Sequence, residues 1–237
     1  MDWNFYMASI IGFVPSFGIL YFTWGHLEGL FSEKKLFFNY FIGWIAGIVV
    51  SLFFLIGVVS VRDYLDLSVL YLLFFGFFTE LLKYIYLNTP NKRRDYALPY
   101  YGFAFGLGIS AIWMVSLSYY YFRDPMDTLE YVVAFASFII MSLALSSIHA
   151  STGALLGYGI YKNFWEKYLL QSLGLQMLFN LTLLPYVWNF PSFYYFIGVF
   201  IGFPVLYYKV YKGVLIYTIP KKVMVKWRKK QKLQLKS

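Results

Sequence analysis

The sequence predicts an all-α polytopic membrane protein, a bundle of seven transmembrane helices with the N-terminus outside and the C-terminus in the cytoplasm. Three observations predict it. Hydrophobic residues fill 60% of the 237 positions and charged residues 13%, with a mean hydropathy of +0.61, so lipid is the natural solvent for most of the chain. The apolar residues come in runs near the ~20 residues that an α-helix needs to cross the hydrocarbon core. The charges between those runs are divided very unevenly between the two sides.

The runs are, in order, Phe5–Trp24, Leu36–Ser60, Leu67–Leu87, Pro99–Phe122, Tyr131–Tyr161, Tyr168–Trp188 and Pro191–Tyr208. The first lacks a basic n-region and an A-x-A-like cleavage site, so it is expected to stay in the mature protein. The third is stopped by Asn88-Thr89-Pro90-Asn91, a helix end and turn. The fifth is longer than a perpendicular crossing requires and is expected to tilt or protrude. Pro185, Pro191 and Pro204 interrupt or kink the last two, which is tolerable where neighbours re-satisfy the freed carbonyls. No gap between runs is long enough for a soluble domain, so residues 1–218 form one transmembrane domain and 219–237 a basic tail.

Alternating sides from an external N-terminus puts Lys34, Lys35, Lys92, Arg93, Arg94, Lys162, Lys167, Lys209 and Lys212 on one side. The tail adds eight more, making 17 of the 20 basic residues; the opposite side receives only Arg62 and Arg123, and Lys83 lies within a span. That division follows the positive-inside rule and assigns the basic side to the cytoplasm. The expected location is the plasma (cytoplasmic) membrane. The net charge of +9 therefore reflects topology and contact with anionic lipid headgroups, and no nucleic-acid partner is expected because no recognition fold surrounds the tail. The absence of cysteine excludes disulfides, thiolate catalysis and thiolate metal ligation. Some of the aromatic residues, Tyr100, Tyr101, Tyr119, Tyr120 and Tyr121, sit where an interfacial belt is expected.

Against this background the polar residues inside the runs stand out. A charge at the bilayer centre costs at least about 2.5–3.5 kcal/mol, which makes an intramembrane ionisable residue a functional-site candidate. Glu80 and Lys83 are spaced i, i+3 on one helical face and can neutralise each other. The plainer reading is an inward ion pair that locks helices together. His149 is the only histidine within a span, and Gln176 and Asn180 share a face at i, i+4. Counted from the cytoplasmic helix ends, these five residues lie 4 to 12 positions deep, or roughly 6–18 Å at the α-helical rise. Glu80, Lys83, His149 and Asn180 are therefore expected to meet in one cavity of the cytoplasmic half. A carboxylate beside a histidine can activate water for attack on a carbonyl, with Asn180 or Gln176 donating to the developing oxyanion. No metal or other cofactor is expected, since only His149 and Glu80 are natural ligands and a catalytic Zn²⁺ usually has three. Gly102-x-x-x-Gly106 and Gly153-x-x-x-Gly157 mark where helices can approach closely; packing alone explains them.

The segments Thr79-Glu80-Leu81-Leu82-Lys83-Tyr84, Gly102-Phe103-Ala104-Phe105-Gly106-Leu107-Gly108, His149-Ala150-Ser151-Thr152-Gly153 with Gly157-Tyr158-Gly159, and Asn180 fall on successive helices. In that order they resemble the PrsW family of intramembrane proteases. The wider superfamily includes the CAAX-processing endopeptidases and the seven-span anterior-pharynx-defective (APH) subunit of γ-secretase. The span count, the external N-terminus and Phe13-Val14-Pro15-Ser16-Phe17 look especially like that subunit, a non-catalytic scaffold. The resemblance implies a catalytic pair, Glu80 and His149, supported by Lys83, Asn180, Gln176 and Thr79. Four positions depart from the PrsW-type pattern: Thr79 replaces the first of two glutamates, Trp113 and Met114 stand where an acid and an amide usually occur, and Gln176 lies near an expected histidine. Paired carboxylates work by mutual repulsion that raises one pKa, and a lone Glu80 facing Lys83 lacks that device.

Three functions remain open at this point. One is an intramembrane peptidase of membrane substrates near the cytoplasmic face; another is a scaffold of the same fold that docks a partner helix. The third is a small proton-coupled transporter or channel, for which no inverted repeat or matched pair of broken helices is present.

Overall fold

In the computed structural model, residues 2–25, 29–61, 63–123, 126–187, 202, 204–225 and 227 are described. Among them the regular structure is helical throughout. Helices α1 (Trp3–Gly25), α2 (Glu33–Val61), α3 (Leu65–Leu87), α4 (Leu98–Tyr121) and α5 (Thr128–Tyr161) are each long and apolar enough to cross a membrane. They are followed by α6 (Trp165–Leu181), a short α7 (Leu184–Val187), a π-helical α8 (Val205–Leu215) and a last turn α9 (Ile216–Thr218).

The sixth run differs from its expected limits. Its helix begins three residues early, at Trp165, and ends at Leu181 after 17 residues, a length of about 26 Å, short of the ~30 Å core. Thr182 and Leu183 then turn the chain, with their amides bonded to the carbonyls of Phe179 and Asn180, before Pro185 in α7. Most of the expected seventh span, Pro191–Tyr208, lies outside the described residues; its described end belongs to α8, which continues past Tyr208 to Leu215.

Side-chain contacts fix which connections share an end of the bundle. Lys35 forms an ion pair with Asp95 at 3.5 Å, and the Tyr96 hydroxyl donates to the Leu30 carbonyl at 2.8 Å. Tyr84 packs its ring 5.3 Å from that of Trp165, bringing the α5–α6 connection to the same end. Tyr100 donates to the Leu215 carbonyl, and Val223, Met224 and Trp227 pack against the core cluster that contains Leu30. The other end holds Asp2, which accepts from Tyr119 at 2.8 Å, and the N-terminus of α5, capped reciprocally by Asp127 and Glu130.

Helix α4 is the hub. Of the residues in its most apolar stretch 83% are buried, against 33–56% in the other four long apolar helices, so α4 meets protein on nearly all sides while its neighbours keep an apolar face uncovered. Glycine makes this possible. Gly102 and Gly153 face each other so closely that a Cβ on either would overlap the other's carbonyl oxygen. Gly106 likewise abuts the His149 carbonyl, and Gly157 approaches that of Leu98 at 2.6 Å from an added Cβ. In lipid, where apolar association gains little from water release, backbone approach of this kind is the main source of helix–helix attraction.

Gly102→Ala should therefore destabilise the bundle by about 1–3 kcal/mol, the usual cost of overpacking a dense core. Gly174→Ala, where an added methyl meets open space, should be neutral or stabilising by up to about 1 kcal/mol, because alanine is the better helix former. Thermal unfolding of both variants in one detergent checks the contrast, and equal melting temperatures would contradict it.

Candidate functional site

Four helices place polar side chains in the interior, and their order along each helix decides who meets whom. Helices α3 and α5 run toward the end that carries Lys35 and Asp95, whereas α4 and α6 run away from it. Positions three or four apart stand one turn above each other, so each helix offers a ladder that neighbours can match.

On α3 the Lys83 ammonium donates to Glu80 Oε1 at 2.5 Å and to the Thr152 hydroxyl of α5 at 2.6 Å, with both Glu80 and Lys83 fully buried. This joins two helices through one cation. The Thr152 hydroxyl also lies 3.4 Å from the His149 carbonyl, one turn back on α5. Ser172 of α6 donates to the Thr152 carbonyl at 3.3 Å, fixing α6 at the same level. Two turns further along α6, Asn180 donates to the Leu72 carbonyl of α3 at 3.1 Å and accepts from Gln176 at 2.9 Å. Gly76 leaves room for the Asn180 amide there, since a Cβ would stand 3.0 Å from its nitrogen.

The register follows by interpolation. Ser172 is level with Thr152 and Lys83, and Asn180 is level with Leu72 and Gly76. Gln176, one turn from each, falls level with Glu80. His149, one turn from Thr152 in the same direction, falls there too, as Glu80 does from Lys83 on α3. Trp113 of α4 closes the layer, its ring edge-on to His149 at 5.4 Å between centroids. Thr79 is buried but turns back on its own helix, donating to the Phe75 carbonyl at 2.8 Å, and does not join the group.

Reasoning from sequence passed over Thr152 and Ser172 as site members. Their signal was spacing: Thr152 follows His149 by three positions and Ser172 precedes Gln176 by four. A hydroxyl inside a membrane helix usually bonds its own preceding turn, as Ser147 and Ser151 do here, so spacing alone does not mark an interhelical bond.

Several polar atoms of this layer are buried without a hydrogen-bond partner: Glu80 Oε2, both ring nitrogens of His149, Trp113 Nε1 and Gln176 Oε1. The donor set does not suit a metal. Among the described residues no three His, Cys, Asp or Glu side chains gather, and Glu80 with one His149 nitrogen leaves a catalytic Zn²⁺ one ligand short. Chemically the arrangement combines a carboxylate half-engaged by an ammonium with an imidazole whose nitrogens are both unengaged. Comparison with known protein families, curated proteins and solved structures gives no match for this chain.

Thr152→Val keeps the side-chain shape but removes the acceptor that completes the Lys83 ammonium. A hydrogen bond to a charged group contributes about 1.5–3 kcal/mol, so the variant should melt measurably lower, and Thr152→Ser should recover most of the difference. An unchanged melting temperature for Thr152→Val would remove the bond's structural role.

Proposed function

We propose that this chain is a PrsW/APH-like membrane scaffold, a protein of intramembrane-peptidase architecture in which Glu80 serves as a helix lock. The observation that carries this reading is the closed arrangement of Glu80, Lys83 and Thr152. A general base has to exchange its proton with substrate or water during each turnover. Glu80 instead faces the Lys83 nitrogen at 2.5 Å, buried away from solvent. The departures from the PrsW-type pattern at Thr79, Trp113 and Gln176 agree with this reading, and so does the likeness to the APH subunit. A scaffold of this kind binds transmembrane segments of a partner protein and surrounding lipid.

A second reading is favoured by one specific observation. Glu80 Oε2 and the His149 nitrogens lack partners, as an acid–base pair that holds a water molecule for peptide hydrolysis requires. Glu80 and His149 are the catalytic residues of that reading. Gln176 donates one amide hydrogen to Asn180 and Asn180 donates one to Leu72, so each keeps a second N–H for an oxyanion.

Glu80→Gln separates the two. For a lock, the substitution strands Lys83 as a buried uncompensated charge; breaking such a pair from one side costs about 3–5 kcal/mol, and adding Lys83→Met should restore much of the loss. For a peptidase, Glu80→Gln abolishes cleavage of a membrane peptide in reconstituted vesicles, and adding Lys83→Met leaves cleavage abolished even where it restores the melting temperature. A destabilised single variant that the double variant fails to rescue, in a chain that cleaves nothing, would sink the scaffold reading along with the peptidase.

We also infer seven crossings with Asp2 external and the tail cytoplasmic. The 17-to-2 division of basic residues supports this orientation. So does the path of the described chain, with Asp2 beside Tyr119 at one end and Trp227 against the cluster of Leu30 at the other. A reporter fused after Ser237 should be active only in the cytoplasm; detection outside the cell would reverse the orientation.

A further inference from the structure

Beside the lock lie buried polar atoms that its hydrogen bonds leave unpartnered. Lys83 gives its hydrogen bonds to Glu80 Oε1 and Thr152, one turn nearer the basic end. Glu80 Oε2, the two His149 nitrogens, Trp113 Nε1 and Gln176 Oε1 lie in the adjacent layer, each fully buried, one group from each of α3, α4, α5 and α6. Buried polar atoms in native proteins almost always have partners, and where no protein group serves, an ordered water does.

We propose that this four-helix layer is a binding site for a small cluster of buried water that links Glu80, Trp113, His149 and Gln176. The inventory of groups argues for it. Trp113 offers one N–H, neutral His149 one N–H and one bare nitrogen, and Glu80 and Gln176 one oxygen each. Two donors face three acceptors, so direct pairing leaves at least one acceptor bare, whereas water supplies donors and acceptors together. Charge argues for a neutral guest, because the one anion of the layer is already matched by Lys83. An apolar guest is excluded by the same atoms, which would stay unsatisfied against it. On one side the layer is closed by Phe54 and Phe75, which pack edge-on to Trp113 at 5.2 and 5.0 Å between centroids. The site goes beyond the scaffold reading and stands whether Glu80 is a lock or a base.

X-ray radiolytic labelling of the full chain in lipid nanodiscs tests it, since hydroxyl radicals formed from bound water oxidise the side chains beside that water. After normalisation to the denatured chain, Trp113 and His149 should be oxidised severalfold faster than Phe54 and Phe75, which are equally buried in the same core. Gln176→Leu, which removes one wall of the site, should reduce the oxidation of both residues severalfold. Protection of Trp113 and His149 equal to that of the two phenylalanines would overturn the proposal. Labelling that Gln176→Leu leaves unchanged would overturn the four-helix site. If Gln176→Leu fails to fold, the comparison within the unsubstituted chain still decides. Melting of Glu80→Gln tests the lock separately, so failure of one reading does not carry the other.

Discussion

A lysine ammonium in the middle of a lipid-facing bundle must be neutralised where it stands, and the interior is arranged around that requirement. Lys83 is fully buried and finds Glu80 on its own helix and Thr152 on α5. The second bond matters as much as the first. An ion pair confined to one helix would stabilise only that helix, whereas the Thr152 hydroxyl makes neutralisation of Lys83 depend on α3 and α5 being together. Ser172 and Asn180 then tie α6 to the same two helices through carbonyl oxygens. Polar bonds therefore join α3 and α6 to the bundle, while α4 joins α5 and α2 mainly through backbone proximity at glycine.

Much of this was legible in the sequence, for identifiable reasons. Long apolar runs located α1 to α5 within a few residues, because crossing a hydrocarbon layer demands length and apolarity that few other roles require. Glu80, Lys83, His149, Gln176 and Asn180 could be singled out because each is costly in lipid. Their depth along the chain could be counted, but the bonds between them could not. Two limits were missed. The end of α6 depends on a turn at Thr182 that hydropathy does not register. The Lys83–Thr152 bond depends on a hydroxyl that looks identical to the many hydroxyls bonded within their own helices.

The positions that depart from the peptidase-like pattern gain a physical meaning from the geometry. Thr79 turns its hydroxyl back on α3, where it donates to the Phe75 carbonyl and leaves Glu80 as the carboxylate of that face. Trp113 fills the α4 corner of the polar layer with an aromatic ring that packs on Phe54, Phe75 and His149. Gln176 spends its amide nitrogen on Asn180. Each of these three residues contributes packing or neutral hydrogen bonding rather than charge, which lowers the cost of burying the layer.

The contact between Gly102 and Gly153 has one more consequence. Gly153 is the residue after Thr152 and lies one turn from His149, so the point where α4 and α5 touch is also the point that sets how far α5 extends past α3. Any side chain larger than hydrogen at either glycine would push the two axes apart or slide them, and a slide of a single residue, about 1.5 Å, is enough to break a bond made at hydrogen-bonding distance. The two glycines thus act as a gauge block for the charged centre next to them. Drift at residues 102 or 153 would first be felt at residue 83, on a helix that neither glycine belongs to.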